Sequence, residues 1–127
     1  MTTIGFNPDT DLEFSKVIAA GTDTVWRCLT EAALIEQWFC PKPWAAHDVE
    51  IEPHPGGAFR TPMRGPNGEE MDEGTGCILV AEPGRLLAFT DAVAPGFHPR
   101  ASGFMTGVYV LEATEDGTRL TARALHA

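Results

Sequence analysis

Leu12, Phe14, Lys16 and Ile18 alternate with Glu13, Ser15 and Val17, a period of two that predicts a strand. Gly21 interrupts it. Thr22 is placed to cap a helix with Asp23 in its first turn, and Val25, Trp26 and Leu29 follow at helical spacing. Thr30 reads as the start of a second short helix with Glu31 in its first turn. Its apolar stripe is Leu34, Ile35, Trp38 and Phe39, and Pro41 ends it. Beyond that break the pattern is strand only. Val49 and Ile51 alternate with Asp48, Glu50 and Glu52. "PHPGG" (53–57) predicts a turn or bulge, from which "AFRTPMR" (58–64) runs on as a strand. "GPNGEE" (65–70) predicts a hairpin loop. "TGCILVA" (75–81) and "RLLAFTD" (85–91) flank a Glu-Pro-Gly turn, and "AVAPGFHPRAS" (92–102) is a longer, proline-rich loop. "GFMTGVYVLEA" (103–113) and "TRLTARALH" (118–126) are joined by the hairpin signal "TEDG".

One strand, two short helices and about six further strands joined mostly by hairpins predict an α+β domain. Its centre is a curved antiparallel sheet of about six to seven strands. No linker, repeat or low-complexity tract divides the 127 residues, so residues 1–127 read as a single domain. Two helices of two to three turns cannot cover one whole face of such a sheet. The last strand turns Leu120, Ala122, Ala124 and His126 to one side, and the sequence stops at Ala127. Either another chain covers the concave face, as in a homodimer, or the natural chain continues. The expectation adopted is a further C-terminal helix that this sequence lacks.

Composition narrows the function classes. Hydrophobic residues make up 43% and charged residues 21%, the balance of a globular protein. Nine Lys and Arg against 18 Asp and Glu give a formal charge of −9. That argues against nucleic acid and anionic membrane surfaces, which want clustered cations. Cys28, Cys40 and Cys77 are widely separated, without CxxC spacing, and read as free thiols in a reducing cytoplasm. No signal peptide or membrane-spanning run is read, and no metal or cofactor is expected. His47, His54, His98 and His126 form no zinc spacing. Asp48, Glu50 and Glu52 read as a solvated strand face. Neither Ser15 nor Ser102 has an adjacent His and acid to make a nucleophile.

"EQWFCPKPW" (36–44) is too apolar for a solvated loop and too proline-rich for a continuing helix. Together with "VWRCLTEAALIEQWFCPKPW" (25–44), "PHPGGAFRTPMRGPNGEE" (53–70), "RLLAFTDA" (85–92) and "GTRLTARALH" (117–126), it gives the chain a family resemblance over nearly all of residues 11–126. The sequence resembles the activator of heat-shock-protein ATPase homologue-like family of the SRPBCC, or START-like, superfamily. The resemblance implies a helix-grip fold, in which the sheet wraps a long C-terminal helix around an apolar cavity. This sequence departs from the pattern by stopping before that helix.

Within the cavity so implied, the candidate wall residues are Trp38, Trp44, Phe59, Met63, Phe89, Phe97, Phe104, Tyr109 and His126, with Met71 and Met105 as further apolar candidates. Core packing is the competing reading at each. Phe59, Thr61 and Met63 share one strand face. Phe104, Val108 and Val110 share a face opposite Met105, Tyr109 and Leu111, and the pattern leaves open which is concave. The resemblance implies a binder of a small hydrophobic or amphipathic ligand. The alternatives it carries are a chaperone-interacting module and a cyclase- or hydrolase-like enzyme, although no catalytic constellation is read in the residues.

Overall fold

The structure is a computed structural model, and it describes residues 11–40, 42–72, 74–100, 103 and 105–126. Strand β1 (Leu12–Ile18) leads into helices α1 (Thr22–Thr30) and α2 (Ala32–Trp38). Short strands β2 (Ala45–Ala46), β3 (Glu50–Ile51), β4 (Ala58–Arg60), β5 (Met63–Arg64) and β6 (Glu70–Met71) follow. The longer β7 (Gly76–Glu82) and β8 (Leu86–Thr90) come next. A small ribbon of β9 (Val93–Ala94) and β10 (His98–Pro99) precedes β11 (Met105–Thr114) and β12 (Gly117–His126).

Seven strands form one antiparallel sheet in the order β1-β12-β11-β8-β7-β4-β3, and β2, β5 and β6 form a second, smaller one. The α+β architecture is therefore the one the hairpin signals predict. "TEDG" closes β11 onto β12 with Thr114 opposite Gly117, and the Glu-Pro-Gly turn is fixed by an Arg85 N–H donated to the Glu82 carbonyl at 3.0 Å.

Local readings shift at both helix starts and over 58–64, and the loop expected over 92–102 carries the β9–β10 ribbon. The first helix is capped by Gly21, whose carbonyl takes the Val25 N–H at 3.1 Å, so Thr22 is already inside the helix. Thr30 ends α1 instead of opening α2. Its hydroxyl donates back to the Trp26 carbonyl at 2.8 Å, and Glu31 serves as the N-terminal boundary of α2. The single strand expected over 58–64 is two strands in different sheets. Pro62 lies between them without an N–H, and its carbonyl accepts the His47 N–H at 3.0 Å, bending the chain from the large sheet to the small one.

The core lies under α1. Val25 and Leu29, four residues apart on one helix face, pack on Ile78, Leu87, Phe89 and Leu111 of the sheet. A satellite cluster of Ile35, Ala46 and Val49 joins α2 to the small sheet, tied further by the Val49 N–H donated to Glu36 Oε2 at 3.0 Å. Thr118 is fully buried, and its hydroxyl donates to the Ala20 carbonyl at 2.7 Å, fastening β12 to the β1–α1 turn. Thr118→Val keeps the shape and leaves that carbonyl unpaired, so chemical denaturation should show a loss of about 1 kcal/mol or somewhat more.

Seven strands side by side span about 29 Å. The two helices are only about 13 Å and 10 Å long. They cover the middle of the concave face and leave the β1 side bare. Leu12 is 68% exposed and Phe14 61% exposed at that edge, large apolar side chains with no described cover.

Candidate functional site

Strand parity decides which side is concave. On β11, Leu111 joins the Val25–Leu29 cluster and Tyr109 meets the Trp38 ring, so Met105, Gly107, Tyr109 and Leu111 face the helices while Val108 and Val110 face away.

Register then explains why this face is hollow. One row across the sheet reads Leu12, Ala124, Gly107, Phe89, and the next reads Phe14, Ala122, Tyr109, Leu87. Ala124, Gly107 and Ala122 leave space in the middle of the face, between Leu12 and Phe14 on one side and Phe89 and Tyr109 on the other. The result is a cavity of about 570 Å³, within the range of small-molecule sites. Its floor comes from β1, β11 and β12, and its roof from Val25, Cys28 and Leu29 of α1 with Trp38 and Phe39. A second cavity of about 220 Å³ is lined by Phe59, Thr61, Met63, Met71, Thr90 and Asp91, among others. Phe39, Phe89 and Met105 line both and form the partition between them.

Aromatic rings run from one cavity to the other. Trp38 meets Tyr109 edge-on with centroids 6.4 Å apart. Tyr109 lies 5.8 Å from Phe89, Phe89 stacks on Phe59 at 4.4 Å, and Phe59 meets Phe39 at 6.5 Å. Trp38 is held in place by its indole N–H, which donates to the Cys28 carbonyl at 2.8 Å. Burial pushes the Tyr109 hydroxyl pKa up, so it stays protonated at neutral pH.

Of the residues singled out in the sequence, the structure brings together Trp38, Phe59, Met63, Phe89 and Tyr109 around these two cavities, with Met71 and Met105. Trp44 lies elsewhere, its ring against Gly65 in the hairpin that joins β5 to β6. Phe97 sits in the 3-10 turn Pro95–Phe97, its ring over Gly56. Phe104 lies outside the described residues, and of His126 only the backbone is described, opposite Met105. The walls that the sequence reading missed are Leu12, Phe14 and Cys28, with the small floor residues Gly107, Ala122 and Ala124.

The carboxylates of 48–52 do not act as a set. Asp48 leaves the strand with a φ of 48°, Glu50 pairs with Arg60 at 3.3 Å, and Glu52 Oε1 accepts the Ala58 N–H at 2.9 Å. His47 instead joins a surface network on the small sheet. Its Nδ1 lies 3.0 Å from Asp48 Oδ2 and its Nε2 lies 2.9 Å from Glu70 Oε2, while Arg64 donates to Glu70 Oε1 at 2.7 Å. Two carboxylates bonded to one ring call for a proton on each nitrogen. The hydrogen bonds to Asp48 and Glu70 accordingly raise the His47 pKa and lower that of Asp48. Glu70 is lowered first by Arg64 and then by His47. The His47 contribution to stability is full below the imidazole's unfolded pKa of about 6.5 and is lost as pH rises through its higher folded value. The carboxylate contributions run the other way and are lost in acid, as pH falls through their lowered values. An NMR titration should place the His47 midpoint above that of an unfolded peptide, and His47→Gln should flatten the decline in stability on the alkaline side. Among the described residues, no group of three or more His, Cys, Asp and Glu is arranged to hold a metal ion. None of the described helices is long and apolar enough to cross a membrane.

A family profile described as "Activator of Hsp90 ATPase homolog 1-like protein" matches residues 19–126. That span takes in both helices and the concave face apart from β1. The chain belongs to this family. Solved structures agree with the placement. A protein from Nitrosomonas europaea, NE0264, superposes with a TM-score of 0.90 at 36% identity, over 96% of this chain and 78% of that one. A Rhodobacter sphaeroides protein gives 0.80 at 29% identity, over 98% and 78%. Protein Ms6760 from Mycobacterium smegmatis gives 0.74 at 25% identity, over 99% and 78%. A comparison with curated proteins finds no match. The family and the helix-grip architecture therefore stand as the resemblance implied.

Proposed function

We propose that this domain binds a small hydrophobic or amphipathic molecule on the concave face of its sheet, under α1 and α2. The observation that carries the reading is the cavity of about 570 Å³, walled by apolar side chains and open beside the exposed Leu12 and Phe14. Water held there gains little hydrogen bonding, so its replacement by an apolar guest is favoured by about 25 cal/mol per Å² of surface buried, before binding costs. In the partition of Phe39, Phe89 and Met105, the Met105 thioether adds adaptability, because its flexible side chain repacks around guests of different shape. The experiment is uptake of an uncharged fluorescent reporter, N-phenyl-1-naphthylamine, by the purified folded chain. The reading predicts saturable enhancement with one site per chain and a concentration-dependent rise in melting temperature. Absence of both at millimolar protein would defeat it.

A further inference from the structure

We infer that the guest selected by this cavity is an uncharged apolar molecule bearing one hydroxyl or carbonyl oxygen, held by the Tyr109 hydroxyl, and not a fatty acid. The inference rests on the ligand-binding reading and narrows it to one chemical class.

The Tyr109 ring lines the larger cavity between Trp38 and Phe89. Its row neighbours in the sheet, Ala122 and Leu87, are apolar and offer no polar side chain. The hydroxyl makes no hydrogen bond to any described residue, yet it is not among the sealed polar atoms of the protein. Water can reach it in the open cavity, and an apolar guest that displaces that water leaves the hydroxyl without a partner, a cost that phenylalanine would not carry. A guest oxygen supplies the missing partner. Because the hydroxyl stays protonated, it can donate to a carbonyl or exchange donor and acceptor roles with an alcohol.

Charge excludes the acid. Among the described residues lining the larger cavity, Arg123 is the one charged side chain, and it is already bonded to the Glu13 carboxylate. The adjoining cavity adds a carboxylate, Asp91, and no cation. The chain as a whole carries −9. A guest carboxylate beside Tyr109 would give up its hydration with no free cation among the described lining residues, since Lys16, on the same face of β1 opposite Leu120, stands outside that lining, and it would do so against a negative field. An alcohol of the same length leaves behind far less hydration.

The test is competition between decanol and decanoate for the site occupied by N-phenyl-1-naphthylamine, near neutral pH and below micelle formation, on the wild-type chain and on Tyr109→Phe. The expected result is that decanol competes at least about tenfold more strongly than decanoate. Tyr109→Phe should weaken decanol about fivefold, the worth of one neutral hydrogen bond, with the dye's own affinity measured on each protein so that decanol is compared on an absolute scale. Circular dichroism checks that the variant is folded, and the wild-type alcohol-to-acid ratio decides the charge argument without it. Dye bound, but decanoate competing as well as decanol, would overturn the inference and leave the cavity reading standing. So would a Tyr109→Phe variant that binds decanol as tightly as the wild type. If neither dye nor decanol binds, both readings fall.

Discussion

Gly107→Ala should destabilise the domain by about 2 kcal/mol, a large effect for the addition of one methyl group. A Cβ at this position would lie 2.3 Å from Cζ of Phe89 and 2.8 Å from both its Cε atoms, so the ring must move. It has little room to do so. Phe89 is stacked on Phe59 at 4.4 Å and is flanked by Tyr109 at 5.8 Å. Any shift passes into the ring chain and into the partition that Phe89 forms between the two cavities. Urea unfolding of the variant measures the cost, and a change below about 0.5 kcal/mol would show that the stack is looser than these distances imply. The reason for glycine here is the close approach of a ring and not a backbone dihedral.

Ala122→Trp should have the opposite balance, with little change in stability and a loss of at least about tenfold in affinity for a neutral apolar dye. Ala122 lies on the cavity floor between Phe14 and Tyr109 in the sheet register. An indole there projects into the hollow of about 570 Å³, where it replaces the guest and makes the apolar contacts itself. Overpacking of a filled core would instead lower stability by about 1–3 kcal/mol. Paired melting and dye-binding curves therefore separate a real cavity from a packed core. A variant that melts much earlier while its dye affinity is unchanged would place the guest elsewhere.

The sheet was legible in the sequence because alternation and hairpin chemistry are local. Leu12 to Ile18, the Glu-Pro-Gly turn and "TEDG" each fix an element from a few residues. The helix boundaries were off by one because Gly21 and Thr30 act through backbone and side-chain bonds that competing caps could equally have made. The concave face was not legible on β11, where Val108 and Val110 on one side are as apolar as Tyr109 and Leu111 on the other. Trp44 and Phe97 follow no periodic pattern, so only tertiary packing could place them, and it places them against Gly65 and Gly56. The hollow itself arises from Gly107, Ala122 and Ala124 lying side by side. A signal for it existed. Counting back from Thr114 opposite Gly117 puts Tyr109 opposite Ala122 and Gly107 opposite Ala124. That step needs the hairpin register as well as the residue types, and composition alone does not supply it.

The central claim is that the concave face under the helices is a binding site, and its most direct test is to map a bound guest by heteronuclear NMR. Titration with N-phenyl-1-naphthylamine should shift the amides of Phe89, Gly107, Tyr109 and Ala122 together, with one dissociation constant, and should leave the exposed His47–Asp48 pair unmoved. Shifts confined to the Phe97–His98 turn or to the small sheet around Trp44, with the β11 and β12 amides unchanged, would contradict it.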